Sequence, residues 1–386
     1  MPPSEFFTRS PFVSSFSAEF ASDGATSDAA VKEATEMGLR RGREDPHASD
    51  KGSSPAMAIL FSTSLSPPGG DFPSVYTPED AMTAASQVLG MGVAINGGGV
   101  SFGVFFCREA GAGYSIQRSG VVGALCWPTM GTCSTFTHGL EPVRGPNEKL
   151  ITSAITETNG SHTLVSLDHQ PAWEPMMGYL MEGETEMVKS MATPDGEVDG
   201  MYLFQVVTDA CVSTSATGPW DIPIRAMGYP NSDAILERLG SASDEALDGS
   251  HFTVQFPLKI NVQSGEIDTM NRIKADKPLV ALVGSKNAVA HTTSRLARDM
   301  MHEHGIEADM LRGAFMLTCA TNYILGGEAG MQLLARELAD AVGWCPLLGI
   351  IGGPEFGVCG DTGESRAQCM ATTIVAFSNR VATKES

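Results

Sequence analysis

Two residues of this sequence combine reactive chemistry with a local pattern that could hold it in place: Cys319 and Glu355. An ionised cysteine is a nucleophile, and a carboxylate is a base or a grip for an amine or hydroxyl. Cys319 closes the run Arg312-Gly-Ala-Phe-Met-Leu-Thr-Cys319, and Glu355 follows Gly352-Gly353-Pro354. Glycines let backbone amides approach a bound molecule, so Gly352 and Gly353 join the candidates, as does Asn322, three residues after Cys319. A carboxylate beside a thiol raises the thiol's pKa and so opposes nucleophilic attack. The pair is therefore read as a ligand-binding site, and no residue is assigned a catalytic role. Two plainer readings compete. Cys319 could be a small buried hydrophobe at a strand end, and Glu355 a turn residue that bonds the N–H groups of its own loop.

The remaining polar groups carry weaker signals. His302 and His304 are two apart, face different directions on a helix and suit its last turn, where the dipole favours positive charge. Asp168 at a strand-to-helix turn reads as a helix cap. A haem ligand would have to be chosen among His138, His162, His169 and His251, and no spacing selects one. Cysteines stand at 107, 126, 133, 211, 319, 345, 359 and 369, without a CxxC pair or a zinc-finger spacing. No metal site is expected, and the pattern reads as reduced thiols. Asn96-Gly-Gly-Gly99 lacks the GxxxxGK[ST] of a phosphate loop and does not open a helix, so it predicts a hairpin turn before Val100–Phe106.

The elements that must position the candidate pair are two apolar runs bracketing an amphipathic segment, the pattern of a strand, a crossover helix and a parallel strand. A third strand follows at Met370–Phe377. Adjacent parallel strands would bring Cys319 and Glu355 to their carboxyl ends, where crevices form in α/β sheets. Upstream, a helix is predicted after Ser27 or Asp28, a strand at Ala56–Thr63, a helix from Pro78 to Leu89 and a strand at Gly120–Cys126. The phenylalanines at 6, 7, 12, 16 and 20 read as seeding a strand or as core packing. Polar segments at 44–55 and 67–73 read as loops. Thr158-Asn159-Gly160 predicts a hairpin inside Ile151–Leu167. Strands are also expected at Met201–Val207, Phe252–Val262 and Leu279–Val283, and a helix over Asn287–His304 closed by Gly305.

Composition bounds the partners. The chain has 386 residues and a net charge of −20. So acidic a surface argues against nucleic acid or an anionic membrane as partner. No apolar run approaches the roughly 18 residues that span a bilayer. Met1–Phe20 lacks the apolar core of a secretory signal, although an organelle transit peptide stays open there. The expectation is a cytoplasmic protein.

Several stretches in this order resemble the FIST family (F-box and intracellular signal transduction proteins). They are Ile155-Thr-Glu-Thr-Asn-Gly160, Leu167-Asp-His-Gln-Pro-Ala172, Ile222-Pro-Ile-Arg225-Ala, Gly313-Ala-Phe-Met-Leu-Thr-Cys319 and Pro346-Leu-Leu-Gly-Ile-Ile-Gly-Gly-Pro-Glu355-Phe-Gly357. The resemblance covers roughly residues 146 to 378. It implies an α/β fold of mixed β-sheets flanked by helices in two lobes: an N-terminal extension (1–50), a FIST N-like region (51–145) and a FIST C-like domain (146–380). It also implies a sensory or regulatory module that binds a small molecule, possibly amino acid-like, and signals through a protein partner. Its alternatives are an enzyme using Cys319 and Glu355, a haem-binding gas sensor, and an adaptor in ubiquitin-ligase substrate selection. No cofactor is assigned. Residues 1–50 show no leucine-rich F-box helices. The family's Gly-Arg-Gly after the cysteine is replaced here by Thr321-Asn322-Tyr323, and its Gly-Glu turn by Pro354-Glu355.

Overall fold

The structure, a computed structural model, describes residues 12–20, 24–44, 55–63, 77–90, 92–100, 105–108, 114–117, 120–127, 131–145, 148–180, 185–200, 202–203, 224–239, 241, 247–343, 345–359 and 364–379. The expected loops at 44–55 and 67–73 and the expected strand at Met201–Val207 lie almost wholly outside these residues.

The chain opens with β1 (Phe12–Glu19), α1 (Gly24–Glu44), β2 (Met57–Thr63), α2 (Pro78–Leu89) and β3 (Ala94–Val100). Next come a short pair, β4 (Phe105–Arg108) and β5 (Tyr114–Gln117), then β6 (Gly120–Trp127) and β7 (Gly131–Thr137). Helix α2 starts where its sequence says it must. Thr77 and Asp80 form a reciprocal capping box, and Pro78 occupies the first turn, where no N–H is needed. Arg41 and Arg43 in the last turn of α1 complement its dipole.

A second lobe is inserted after β7. Its strands are β8 (Glu141–Pro142), β9 (Thr152–Ser153), β10 (Ile155–Asn159), β11 (Thr163–Leu167), β12 (Gln170–Pro171), β13 (Glu197–Asp199), β14 (Ile224–Pro230), β15 (Phe252–Gln255), β16 (Pro257–Asn261), β17 (Ile267–Thr269) and β18 (Leu279–Gly284). Helices α3 (Trp173–Leu180), α4 (Thr185–Met191) and α5 (Asp233–Arg238) accompany them. The chain then returns to the first lobe with α6 (Lys286–Glu303), β19 (Leu311–Cys319), α7 (Ala320–Val342), β20 (Leu347–Gly352), β21 (Glu355–Val358), β22 (Ser365–Gln368) and β23 (Thr372–Ser378).

The first lobe is four layers deep. One mixed sheet runs β1-β6-β2-β3-β21-β22 and a second runs β20-β19-β23-β7. Helices α1 and α2 cover the outer face of the first sheet around Leu60, Ile95 and Phe356. Helices α6 and α7 cover the outer face of the second around Met316, Ile374 and Leu338. Between the sheets lie Met57, Phe315, Leu317 and Val375. Each such side chain, fully buried, contributes roughly 1.5–3 kcal/mol relative to exposure. Gly42 brings α1 close to the sheet: a Cβ there would lie 2.1 Å from the Trp127 ring. The second lobe has its own cores, around Trp173, Met176 and Ile260 and around Phe252, Val254 and Leu282. The architecture is therefore mixed α/β, and no helix among the described residues is long and apolar enough to cross a membrane.

Three expectations need correction. Asn96–Gly99 is not a hairpin turn but the middle of β3, parallel to β2 and antiparallel to β21. Its glycines serve close backbone approach, since a Cβ on Gly97 would lie 2.0 Å from the Leu60 oxygen and one on Gly98 2.6 Å from the Pro354 oxygen. Asp168 caps no helix. Asp168 and His169 both have positive φ, 51° and 64°, and form the tight turn from β11 into β12, as such hairpins require. Finally, the sheets do not divide near residue 146. Strands β21 and β22 complete the sheet of β2 and β3, and β7 pairs with β23.

Candidate functional site

The expected strand–helix–strand is present. Strands β19 and β20 are parallel neighbours, with Cys319 opposite Gly352 at their carboxyl ends. Cys319 is the residue before α7, and its side chain makes no capping hydrogen bond. Beyond β20 the chain departs from a simple crevice. Gly353, at φ 146°, and a cis Gly353–Pro354 bond carry it straight across into the opposite sheet. Glu355 then begins β21 beside Gly98. The crossing is clamped on both sides of Gly99, whose N–H donates to the Pro354 oxygen (2.6 Å) and whose oxygen accepts from the Gly353 N–H (2.8 Å). A Cβ on Gly352 would lie 2.7 Å from that same Gly99 oxygen, so only glycine fits.

Thiol and carboxyl therefore meet around Gly353. A Cβ placed there would be 3.1 Å from Cys319 Sγ and 3.2 Å from Glu355 Oε1. Both groups are sealed: Cys319 is 4% exposed and Glu355 0%. Glu355 Oε2 accepts a hydrogen bond from the Ala371 N–H at 3.3 Å. Oε1 has no hydrogen-bond partner among the described residues. Burial pushes the carboxyl well above the usual carboxylate range; the neighbouring thiol and the Ala371 N–H oppose this without cancelling it. Burial also pushes the Cys319 thiol up, and the Glu355 carboxyl adds to that; the hydroxyl and N–H of Thr321 and the N–H of Met370 pull the other way. Burial thus favours the protonated form of both the thiol and the acid.

Asn322 reaches the same corner but is already engaged. Its Nδ2 donates to Thr318 Oγ1 (3.2 Å) and to the Met370 oxygen (3.3 Å), tying the first turn of α7 to the turn before β23. Gly352 and Gly353 act through close approach rather than by presenting free amides. Sequence reasoning missed two contributors. One is Met370–Ala371, where a positive φ at Met370 (59°) turns the Ala371 N–H onto Glu355. The other is Asn96. It is 0% exposed, lies on the face of β3 that carries Gly98 towards the second sheet, and has no partner for Nδ2 or Oδ1 among the described residues. The polar residue in an otherwise glycine and apolar run was the available signal.

No protein-family model matches this chain, and no curated protein matches it. Among solved structures it is similar to the crystal structure of a cyanuric acid hydrolase from A. caulinodans, at 10% identity over 96% of this chain and 100% of that one, with a TM-score of 0.20. A likeness at that level carries no argument about fold or chemistry.

Three of the candidate histidines, His138, His162 and His251, are held by structural contacts. His138 is buried; its Nδ1 accepts from the Leu140 N–H (3.0 Å) and its Nε2 donates to the Phe252 oxygen (3.1 Å). Burial lowers its pKa to about 4, which keeps it neutral. His162 bonds the Thr269 oxygen, and His251 lies against Asp248. Among the described residues no three His, Cys, Asp or Glu side chains are grouped to hold a metal ion. Two surface grooves, one of about 860 Å³ between α1 and α2 and one of about 350 Å³ where α6 meets α7, do not include Cys319 or Glu355.

Proposed function

We propose that this protein binds a small amine-bearing molecule at Glu355 and acts as a sensory or regulatory module rather than through turnover. The observation that carries the reading is the Glu355 carboxyl, wholly buried just beyond the carboxyl ends of β19 and β20, with Oε1 unpartnered among the described residues. Burying such an atom costs about 1–3 kcal/mol unless a partner compensates. A ligand ammonium would supply that partner and favour the ionised acid, so binding releases a proton from Glu355. Turnover through Cys319 is the weaker reading, because a thiol held protonated by burial and a neighbouring acid is a poor nucleophile. The site is closed over, so entry requires the Gly353–Pro354 crossing or the first turn of α7 to give way, a coupling of occupancy to conformation that suits a sensor. The resemblance to FIST proteins points the same way. It supports a cytoplasmic location and an output through a protein partner.

A thermal-shift screen of amino acids and simple amines tests this. A ligand at one hundred times its Kd stabilises by about 2.7 kcal/mol. The shift should vanish in Glu355→Gln, which keeps the shape and removes the charge. A stabilising amine whose effect survives Glu355→Gln refutes the site.

A further inference from the structure

A second polar site lies where the two lobes meet, away from Glu355. The loop from Met270 to Lys277 joins β17 to β18 and is held on three sides. Asn271 Nδ2 donates to the Ala367 oxygen of β22 at 2.9 Å. The Arg272 N–H donates to Glu79 Oε2 at 2.9 Å, and the Arg272 guanidinium pairs with Asp80 at the start of α2. Gln255 Nε2, from β15, donates to the Arg272 oxygen at 3.1 Å.

These bonds leave a specific remainder. Asn271 and Gln255 are 1% and 2% exposed, yet Asn271 Oδ1 and Gln255 Oε1 have no hydrogen-bond partner among the described residues. Next to Ala367 stands Arg366. Ala367 packs on the α1–α2 side of the sheet, so alternation turns Arg366 to the opposite face, where it lies near Tyr229 and Lys274 of the second lobe. Its Nη2 bonds Glu364 (3.1 Å), but Nη1 is buried and has no hydrogen-bond partner among the described residues. Lys274 completes the group. Its Nζ sits 5.1 Å from the centroid of the Tyr229 ring and makes no ion pair among the described residues, although the Glu79 and Asp276 carboxyls are close enough to act on it. Burial, then the nearby Arg366 and Lys277, draw its pKa below the usual lysine value.

Two orphaned acceptors and two under-compensated cations make unusual demands. A bare carboxylate or sulfate offers only acceptors, and an ammonium only donors. A hydroxylated oxyanion offers both. We propose that the lobe junction binds a small hydroxylated oxyanion, a hydrogen phosphate or a hydroxycarboxylate. Its anionic oxygen meets Arg366 Nη1 and Lys274, and its hydroxyl meets Asn271 Oδ1 or Gln255 Oε1. Because the loop belongs to the second lobe and Arg366 to the first, occupancy fastens one lobe to the other.

Melting curves of the full chain at pH 7 and constant ionic strength, with inorganic phosphate, sulfate, glycolate and acetate as probes, test this. Phosphate or glycolate should raise Tm saturably, and its anion without a hydroxyl, sulfate or acetate, should bind about tenfold more weakly. Whichever of phosphate and glycolate acts identifies the source of the oxyanion. Arg366→Gln and Lys274→Met should each weaken the effect about tenfold, as loss of a charge-assisted bond does. Glu355→Gln should leave it intact, which separates this site from the amine site. If Arg366→Gln does not fold, Lys274→Met decides, since that ammonium makes no ion pair among the described residues. Absence of any saturable shift, or a shift undiminished in the foldable variants, overturns the proposal. Equal effects of phosphate and sulfate, and of glycolate and acetate, overturn the hydroxyl assignment.

Discussion

Replacing Glu355 by glutamine should change how stability depends on pH in a way that only a buried, proton-retaining carboxyl can produce. In the folded chain the acid holds its proton to a pH well above the usual 4.5; in the unfolded chain it does not. Between those two values the folded state carries one proton more than the unfolded state. The unfolding free energy therefore falls as pH rises, by up to about 1.4 kcal/mol per pH unit for one proton. Below the unfolded value both states are protonated, and the contribution is flat. Glutamine keeps the shape and an acceptor for the Ala371 N–H but has no proton to lose. Urea unfolding of both proteins from pH 4 to pH 8 measures the difference. The stability of Glu355→Gln minus that of the parent should rise with pH, beginning near 4.5 and levelling off at the folded pKa. Glu79 and Glu141, whose pKa values burial also raises, cancel in the difference. A flat difference would mean that Glu355 is ionised when folded, and the account of an uncompensated buried acid would fail.

Other changes probe the frame. Gly353→Ala places a Cβ 3.1 Å from Cys319 Sγ at a φ of 146°, and should lower stability by about 1–3 kcal/mol in denaturant titration. Gly42→Ala drives a methyl into the Trp127 ring and should cost about 1–3 kcal/mol, with a blue or red shift in tryptophan emission as the ring moves. His138, held neutral to about pH 4 against 6.5 when unfolded, should account for about 3 kcal/mol of stability lost as pH falls through that window. His138→Asn should remove that share of the acid sensitivity, read from unfolding at pH 6.5 and pH 4.5.

The βαβ unit of β19, α7 and β20 was legible because it is local: two apolar runs and an amphipathic segment suffice to set it. Cys319 fell at the strand end for the same reason. Glu355 was placed correctly as a neighbour of Cys319 but not as the first residue of a strand in the other sheet. That depends on pairing with Gly98, more than 250 residues away. The run Asn96–Gly99 shows the limit more sharply. Taken locally, consecutive glycines favour a turn; only the backbones of Leu60 on one side and Pro354 on the other make them a strand. Asn271 and Arg366 had no signal at all, because each is polar in a polar stretch and their burial comes from the meeting of two lobes.

The central sheet is finished by strands from the far end of the chain, and this has a consequence during synthesis. Strands β2 and β3 emerge early, but β21 and β22, which cover the free side of β3, follow only after the entire second lobe. Likewise β7 waits for β23. A growing chain thus carries two bare strand edges, one of them lined with glycine, for most of its time on the ribosome. Bare edges invite foreign pairing. The second lobe, whose core around Trp173 and Ile260 draws only on residues 155–279, can form first and act as a spacer that keeps the two halves of the first lobe apart until both exist.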